Sequence, residues 1–240
     1  IEDLEYLNSV KETLNLIRDS LSEDGVFVLE TPSFLEVLKY NAFDQFYHEH
    51  QSYFSYVSVK NIVEKLGMRV FDLEMYPVHG GTYRFFICKE NANHSNKVQN
   101  KYLDNEMRFG IDNYSNLCGV MNIMKSNMVN IKSMLEDIKK SGKTIVGYGA
   151  TAKFTNVMNM CGLNNNHIDY VLDTTPLKNN KWIPNTGVQI KAYTPNKVKD
   201  IDYFYLGAWN YRKEVLNKES EYIKNGGKFI THIPKVEIIK

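Results

Sequence analysis

The second half of the chain alternates strand and helix patterns, and this feature restricts the fold more than any other. The run KTIVGYGA at 143–150 is an apolar segment with two glycines near its end, and TAKFTNVMNMCG continues it as a helix pattern that ends at Gly162. Three later segments repeat the strand pattern, at 167–173, 201–208 and 226–234. Strands that alternate with helices form parallel sheets, so we predict a Rossmann-like α/β domain over residues 142–240.

The turn GYGATAK, between the first of these strands and its helix, is a candidate ligand site. Glycines let backbone N–H groups approach an anion at a helix N-terminus, which suits a phosphate. Asp173 ends the next strand, where dinucleotide-binding folds place a ribose-binding acid, but the turn lacks the third glycine of that fingerprint. Three interpretations stay open: a phosphate or sugar-nucleotide site, a nicotinamide site, and a tight turn that binds nothing.

The first half has an α/β pattern of its own. Apolar residues at helical spacing predict an amphipathic helix over 4–21, and VFVLE at 26–30 predicts a buried strand. Ser58 is the expected N-cap of a short helix, and two further segments, 68–76 and 82–90, predict an antiparallel hairpin.

A polar segment, NANHSNKVQN, separates these elements from a helical stretch interrupted near Gly110 and Gly119. We therefore divide the chain into an α/β domain over 1–92, a helical linker over 93–141 and the domain over 142–240.

The segment YNAFDQFYHEHQSYFSY, Tyr40–Tyr56, is rich in aromatic residues and has neither a helical nor a strand period. Asp44, His48, Glu49 and His50 lie within it. Histidine titrates near neutral pH, and a neighbouring carboxylate can orient it, so these groups are suited to proton transfer. Long loops in compact domains are usually functional or disordered, and so many rings argue against disorder. We predict an ordered active-site loop.

Composition excludes several classes of partner. The formal net charge is +1, so no overall field draws the chain to nucleic acid or to an anionic membrane. No apolar run approaches the roughly 20 residues that span a bilayer. His48 and His50 have metal-ligand spacing, but a third ligand is not evident. The three cysteines, Cys88, Cys118 and Cys161, are far apart and fit a reducing compartment. We expect a cytoplasmic protein with no metal site.

Six stretches, taken in order, resemble one family: DGVFVLETPSF, FDQFYHEHQSYFS, PVHGGTYRFF, VGYGATAKFTN, DTTPLKNNKWIPNTG and GAWNYRKEV. Together they are similar to the sugar C-methyltransferases, which transfer a methyl group from S-adenosylmethionine to nucleotide-linked 4-keto sugars. The resemblance extends over essentially the whole chain. It implies that residues 1–92 are the C-terminal part of a class I methyltransferase domain. It also implies that residues 142–240 form a Rossmann-like substrate-binding domain.

Methylation next to a keto group needs a base that removes the α-proton. A neutral imidazole suits this task, and both the residues and the resemblance favour His50 as the base. Glu49 and Tyr47 are expected to orient it or to contact the sugar, with Tyr53 as a weaker candidate. The expected substrate-binding residues are those of the glycine turn and three polar side chains after it: Gly147, Gly149, Ala150, Lys153, Lys178 and Thr186.

The methyl-donor side of the family has no counterpart here. Its glycine-rich donor loop and its zinc-binding cysteines do not occur in the sequence. We therefore expect a fragment, a split-gene product or a member of a complex, which does not methylate alone and needs an N-terminal portion or a partner chain. Two other functions stay open: an inert subunit that binds a sugar nucleotide or acts as a scaffold, and a nicotinamide-dependent sugar reductase.

Overall fold

The alternation of helices and strands yields an α/β structure, as the sequence predicts. The computed structural model describes residue 4, residues 9–198 and residues 200–240. The chain forms two units. The first contains the described residues up to Tyr40 together with Phe46–Val120, and the second contains Asn41–Gln45 and Met121–Lys240.

The first unit is an antiparallel three-stranded sheet with four helices. Its elements are α1 (Val10–Ser20), β1 (Phe27–Pro32), α2 (Phe34–Lys39), α3 (Tyr56–Lys65), β2 (Met68–Tyr76), β3 (Thr82–Lys89) and α4 (Lys101–Phe109). The strand order is β1-β3-β2, so the predicted hairpin of β2 and β3 is confirmed. Fully buried Leu14, Leu29, Val63 and Phe85 place the core where α1, α3 and the sheet meet.

Two helix starts differ from the predictions. The part of the predicted first helix at residues 5–8 lies outside the described residues, and α1 begins at Val10 after its N-cap Ser9. Helix α3 begins at Tyr56, with Ser55 and not Ser58 as its N-cap. Ser58 instead completes a capping box, because its hydroxyl accepts a hydrogen bond from the backbone N–H of Ser55 at 2.9 Å. The periodicity of the apolar residues did not reveal this extra turn.

The predicted helical stretch forms α4 and one longer helix, α5 (Tyr114–Lys140). Gly110 ends α4 with a φ of 77°, in the left-handed region that glycine adopts readily. Gly119, by contrast, does not interrupt α5, so that prediction was wrong. The stripe of fully buried Met124, Ile131 and Leu135 stabilises the helix by more than one glycine weakens it.

The second unit is a seven-stranded sheet. Its further elements are β4 (Ile145–Tyr148), α6 (Ala152–Met160), β5 (Tyr170–Asp173), β6 (Trp182–Ile183), β7 (Val188–Ala192), β8 (Tyr203–Leu206), α7 (Arg212–Lys218), α8 (Ser220–Lys224), β9 (Lys228–Thr231) and β10 (Glu237–Ile239). The order is β10-β9-β8-β4-β5-β7-β6, with parallel pairing from β9 to β7 and antiparallel edge strands. The predicted parallel sheet is confirmed. After β4, the chain adds β5 and β7 on one side and β8 and β9 on the other, and ligands bind in such sheets where the strand order reverses in this way.

Glycines at the ends of β4 and β8 allow α6 to approach the sheet closely. A Cβ atom on Gly207 would lie 2.6 Å from the Gly149 carbonyl oxygen and 2.7 Å from Phe154. On Gly147 it would lie 2.8 Å from the Val171 side chain. Both glycines therefore have a packing role that is independent of any ligand.

Replacing Gly207 with alanine is expected to lower the free energy of unfolding by about 1–3 kcal/mol, because the added methyl group overpacks the turn. The matched control is Gly119→Ala in α5, where a Cβ atom would meet nothing within 4 Å. There the same change should raise stability by up to about 1 kcal/mol, since alanine is the better helix former. Urea denaturation measures both, and equal effects would contradict the packing role.

None of the helices in the described part of the chain has both the length and the apolar composition that crossing a membrane requires.

Candidate functional site

The predicted base lies in the part of the aromatic loop that belongs to the first unit. The backbone N–H of Phe34, at the start of α2, donates a hydrogen bond to the Phe54 carbonyl oxygen at 2.9 Å. Ser33 and Phe54 form an isolated parallel bridge beside it. The C-terminal end of the loop is therefore fixed next to the end of β1.

His50 is buried and hydrogen-bonded to Tyr47. Its Nε2 atom lies 2.8 Å from the Tyr47 hydroxyl, and its backbone N–H donates to the Tyr47 carbonyl oxygen at 3.0 Å. The two rings lie 4.2 Å apart between centroids. The hydrogen bond and the ring contact together hold the His50 imidazole in one orientation. Of the two residues predicted to orient His50, the structure brings Tyr47 to the ring.

Aromatic rings surround this pair. Tyr53 meets the His50 ring edge-on at 6.1 Å and also contacts Phe46 at 4.9 Å and Phe34 at 5.8 Å. Burial raises the pKa of Tyr53, so its hydroxyl remains a neutral phenol at neutral pH.

The four proton-transfer groups of the loop differ in burial and in the unit to which they belong. His48 and Glu49 are exposed, so the role of Glu49 beside His50 stays a prediction. Asp44 is fully buried and belongs to the second unit. The sequence placed Asp44 with His50 because they are neighbours in the chain. In the structure, the Asp44 side chain has its buried polar partners in the second unit.

These partners form a second cluster of buried polar groups in the second unit. The Trp209 indole N–H donates to Asp44 Oδ2 at 2.6 Å, and the Asn156 side chain donates to the Asp44 carbonyl oxygen at 3.0 Å. His232 Nε2 lies 3.7 Å from the same Oδ2 atom. Trp209 follows β8 and His232 follows β9, so both lie at carboxyl ends of adjacent strands. No sequence pattern singles out His232, which is the first residue after the last parallel strand.

Lys153, in the first turn of α6, completes this cluster. Its Nζ atom is buried and has no hydrogen-bond partner among the described residues, and it lies 5.6 Å from the centroid of the Trp209 ring. Burial lowers the pKa of Lys153, and the nearby Asp44 carboxylate offsets only part of that effect. Asp44 Oδ1 and His232 Nε2 also lack partners in the described part of the chain. A buried ammonium beside a helix N-terminus favours an anionic ligand.

The glycine turn after β4 already binds a carboxylate of the protein itself. Asp173 accepts hydrogen bonds from the N–H groups of Ala150 at 2.7 Å and Thr175 at 2.8 Å. Lys178 donates to the Ala150 carbonyl oxygen at 2.8 Å and lies 3.5 Å from Asp173. Gly149 has a φ of 87°, which an L side chain rarely adopts. Of the predicted binding residues, this turn unites Gly149, Ala150 and Lys178.

Asp173 therefore holds the turn together, and this role has a measurable pH dependence. Burial alone would raise the pKa of Asp173, but the backbone donors and Lys178 outweigh it, so the pKa lies below its usual value. A carboxylate with a depressed folded-state pKa adds stability above its unfolded pKa, and this contribution is lost as pH falls through the folded value.

Asp173→Asn should lower the free energy of unfolding at pH 7 by about 1–3 kcal/mol, because an N–H donor of the turn loses its acceptor. The difference from the wild type should shrink as the pH falls below about 4. Exposed Asp200 supplies the control, since Asp200→Asn should change stability by no more than about 0.5 kcal/mol. Chemical denaturation across this pH range measures both, and a pH-independent deficit would contradict the ionic role.

Thr186 has a different position from the other predicted binding residues. It lies in the hairpin between β6 and β7, where its hydroxyl donates to the Ile183 carbonyl oxygen at 2.9 Å and accepts from the Val188 N–H at 3.1 Å. These bonds account for its burial as a turn residue, and a role in ligand binding stays a prediction. Within the described residues, no group of three His, Cys, Asp or Glu side chains is placed to hold a metal ion.

Comparison with known proteins identifies the family. Residues 77–234 match the model of a C-methyltransferase C-terminal domain. Over 237 residues the chain is 34% identical to the C-methyltransferase NovU of Streptomyces niveus, an alignment that includes 98% of this chain and 56% of NovU. The chain thus spans little more than half the length of this relative. The resemblance seen in the sequence is confirmed: the chain belongs to the C-methyltransferase family.

Proposed function

We propose that the chain carries the base and the substrate-binding part of an S-adenosylmethionine-dependent C-methyltransferase whose substrate is a nucleotide-linked keto sugar. The observation that carries the proposal is the buried His50 imidazole, whose Nε2 atom faces the Tyr47 hydroxyl at 2.8 Å. This is a buried imidazole that is hydrogen-bonded to a tyrosine and surrounded by aromatic rings. It suits abstraction of a proton from carbon, a step that needs a neutral base and little competing water.

The reaction begins when His50 removes a proton from the carbon next to the keto group. The electron pair of the broken C–H bond moves into the carbonyl group and forms an enolate. S-adenosylmethionine, when bound, would supply the methyl group to the enolate carbon: the methyl–sulfur bond would break as the carbon–carbon bond forms, and its electron pair would stay on the sulfur. Tyr47 holds the His50 ring in place through its hydroxyl group, which lies 2.8 Å from Nε2. Ordinary proton-transfer catalysis of this kind contributes about 10²–10⁴-fold to rate.

The second unit supplies groups suited to the nucleotide diphosphate. The Lys153 ammonium is buried without a hydrogen-bond partner in the described residues, and it lies at the N-terminal turn of α6. Phosphate oxygens satisfy ammonium donors well, and the helix N-terminus favours the same charge. This placement supports Lys153 more strongly than Lys178, whose ammonium already donates to the Ala150 carbonyl oxygen.

S-adenosylmethionine supplies an electrophilic methyl group on a sulfonium centre. The described residues do not form a suitable binding site for this donor. In the first unit β1 leads into α2 through Ser33, without a glycine turn. In the second unit the glycine turn holds Asp173. We propose that a preceding portion of the protein or a partner chain holds the donor.

The two other functions make distinct predictions. A nicotinamide-dependent reductase would use the Asp173 carboxylate on the ribose, but both carboxylate oxygens accept hydrogen bonds from the protein backbone. That arrangement disfavours the reductase. An inert subunit would bind the sugar nucleotide and never remove its proton.

We propose that the protein is cytoplasmic, because its three cysteines are free thiols, as is usual in a reducing compartment.

Calorimetric titration of the chain with three separate ligands tests the assignment. A nucleoside diphosphate should bind, whereas NADH and S-adenosylmethionine should bind at least about tenfold more weakly, each tenfold being 1.4 kcal/mol. Tight binding of NADH would favour the reductase. Tight binding of S-adenosylmethionine would contradict the assignment of the donor site to another segment.

A further inference from the structure

A buried carboxylate from α4 holds the start of α3, the helix that follows the base-bearing loop. Glu106 is fully buried, and its two oxygens accept hydrogen bonds from the N–H groups of Tyr56 at 2.7 Å and Val57 at 2.9 Å. These are the first two residues of α3. A carboxylate at a helix N-terminus is attracted by the helix dipole, and its hydrogen bonds are charge-assisted.

Helix α3 has an ordinary cap besides this carboxylate. The Ser55 hydroxyl accepts from the Ser58 N–H at 3.1 Å, and the Ser58 hydroxyl accepts from the Ser55 N–H at 2.9 Å. This capping box is the arrangement with which soluble helices usually begin. Glu106 accepts two further hydrogen bonds and belongs to another helix, α4. It therefore fixes the position of the start of α3 and not only its conformation.

The segment that Glu106 holds continues directly into the surround of His50. Phe54 precedes the capped start and is fixed by the N–H of Phe34. The next residue back along the chain, Tyr53, places its ring edge-on to His50. A shift of the Tyr56 backbone would therefore also shift Phe54 and Tyr53, and the Tyr53 ring contacts His50.

We infer that Glu106 is a positioning residue for the base. By anchoring Tyr56 and Val57 it sets the position of Tyr53, and the Tyr53 ring in turn sets the position of His50. The inference rests on the proposed role of His50. A misplacement of a reacting group by about 1 Å can lower a rate by about 10²-fold, so a remote anchor has a measurable effect on turnover.

Ionisation of Glu106 is linked to the stability of the fold. Burial raises the pKa of Glu106, although the N–H donors of Val57 and Tyr56 lower it in part. A raised folded-state pKa means that the contribution to stability is complete below the unfolded pKa and is lost as pH rises through the folded value. The ionised form of Glu106 therefore stabilises the fold less than the protonated form does. Glutamine cannot ionise, which favours the fold, but it has only one oxygen acceptor for the two N–H groups, which disfavours the fold. These two effects on stability partly cancel.

Glu106→Gln and the control Ser58→Ala separate positioning from capping. Ser58→Ala weakens the capping box at an exposed residue and leaves Glu106 intact. In the complete natural protein, Glu106→Gln should lower kcat for methyl transfer by about tenfold to a hundredfold, with KM for the sugar nucleotide changed by less than about twofold. Ser58→Ala should leave kcat unchanged. Equal losses in the two variants would overturn the inference.

The ring nitrogen resonances of His50 give a readout that does not need activity. Nitrogen-15 NMR of the 240-residue chain should show altered His50 tautomer and titration behaviour in Glu106→Gln and none in Ser58→Ala. Glu106→Asp keeps the carboxylate and withdraws it by one methylene, so it should shift the same resonances even where the glutamine variant does not fold. Unchanged His50 resonances would overturn the inference. If the wild type transferred no methyl group, the proposed function would fail, while these spectra would still decide the role of Glu106.

Discussion

Replacing His50 with asparagine is expected to lower the turnover of C-methylation by about 10²–10⁴-fold, because asparagine has no nitrogen that takes a proton near neutral pH. The side chain fits the same buried space and still offers a polar group to the Tyr47 hydroxyl. Substrate affinity should therefore change little, and the loss should appear in kcat. Steady-state kinetics of the complete protein with a nucleotide-linked keto sugar and S-adenosylmethionine measure the effect.

His48 provides the matched control for this prediction. It has the same side chain two residues away in the same loop, but it is exposed. His48→Asn should retain nearly all of the activity. A similar loss in both variants would mean that the loop tolerates no change of this size, and full activity of His50→Asn would exclude His50 as the base.

Replacing Lys153 with methionine is expected to have opposite effects on stability and on ligand affinity. Removing a buried ammonium whose pKa is lowered by burial should raise the free energy of unfolding by about 1 kcal/mol or more. Loss of a charge-assisted bond to a phosphate, worth about 1.5–3 kcal/mol, should weaken binding of a nucleoside diphosphate by about tenfold to a hundredfold. Denaturation and calorimetry measure the two effects separately.

The pH dependence of the free energy of unfolding distinguishes removal of a buried charge from simple repacking of the side chains. The folded-state pKa of Lys153 lies below its unfolded value, so the folded state binds fewer protons and the wild type gains stability as pH rises between the two values. Lys153→Met should abolish that gain. Exposed Lys213, replaced in the same way, should change neither quantity. A destabilised Lys153→Met protein with normal affinity would contradict a role of Lys153 in binding.

Local patterns predicted most of the fold. The parallel strands of the second unit are short apolar runs separated by a helix pattern, and the hairpin of β2 and β3 follows two apolar segments joined by PVHGG. His50 could be proposed from its residue type and its aromatic neighbours. Such features depend on residues close together in the sequence, and for that reason a single chain reveals them.

Features that depend on distant residues could not be predicted in this way. Strand β6 has two residues, too few to show a period, so the hairpin of β6 and β7 went unnoticed. Glu106 lies in a helix pattern where an exposed glutamate is the ordinary expectation, and nothing local indicates that it holds α3. Asp44 was grouped with His50 for the same reason, because sequence proximity does not show which side chains share buried partners.

The most direct test that this chain carries the base and the substrate-binding part needs no methyl donor. If His50 removes the α-proton, the chain should exchange that proton with solvent even when no methyl group is transferred. A nucleotide-linked 4-keto sugar is incubated with the 240-residue chain in D₂O without S-adenosylmethionine, and the α-proton signal is followed by NMR. We predict exchange well above the buffer rate for the wild type and for His48→Asn, and loss of that acceleration in His50→Asn. Exchange at the buffer rate with the wild type, or equal acceleration by His50→Asn, would contradict the assignment of this chain as the proton-abstracting part of a C-methyltransferase.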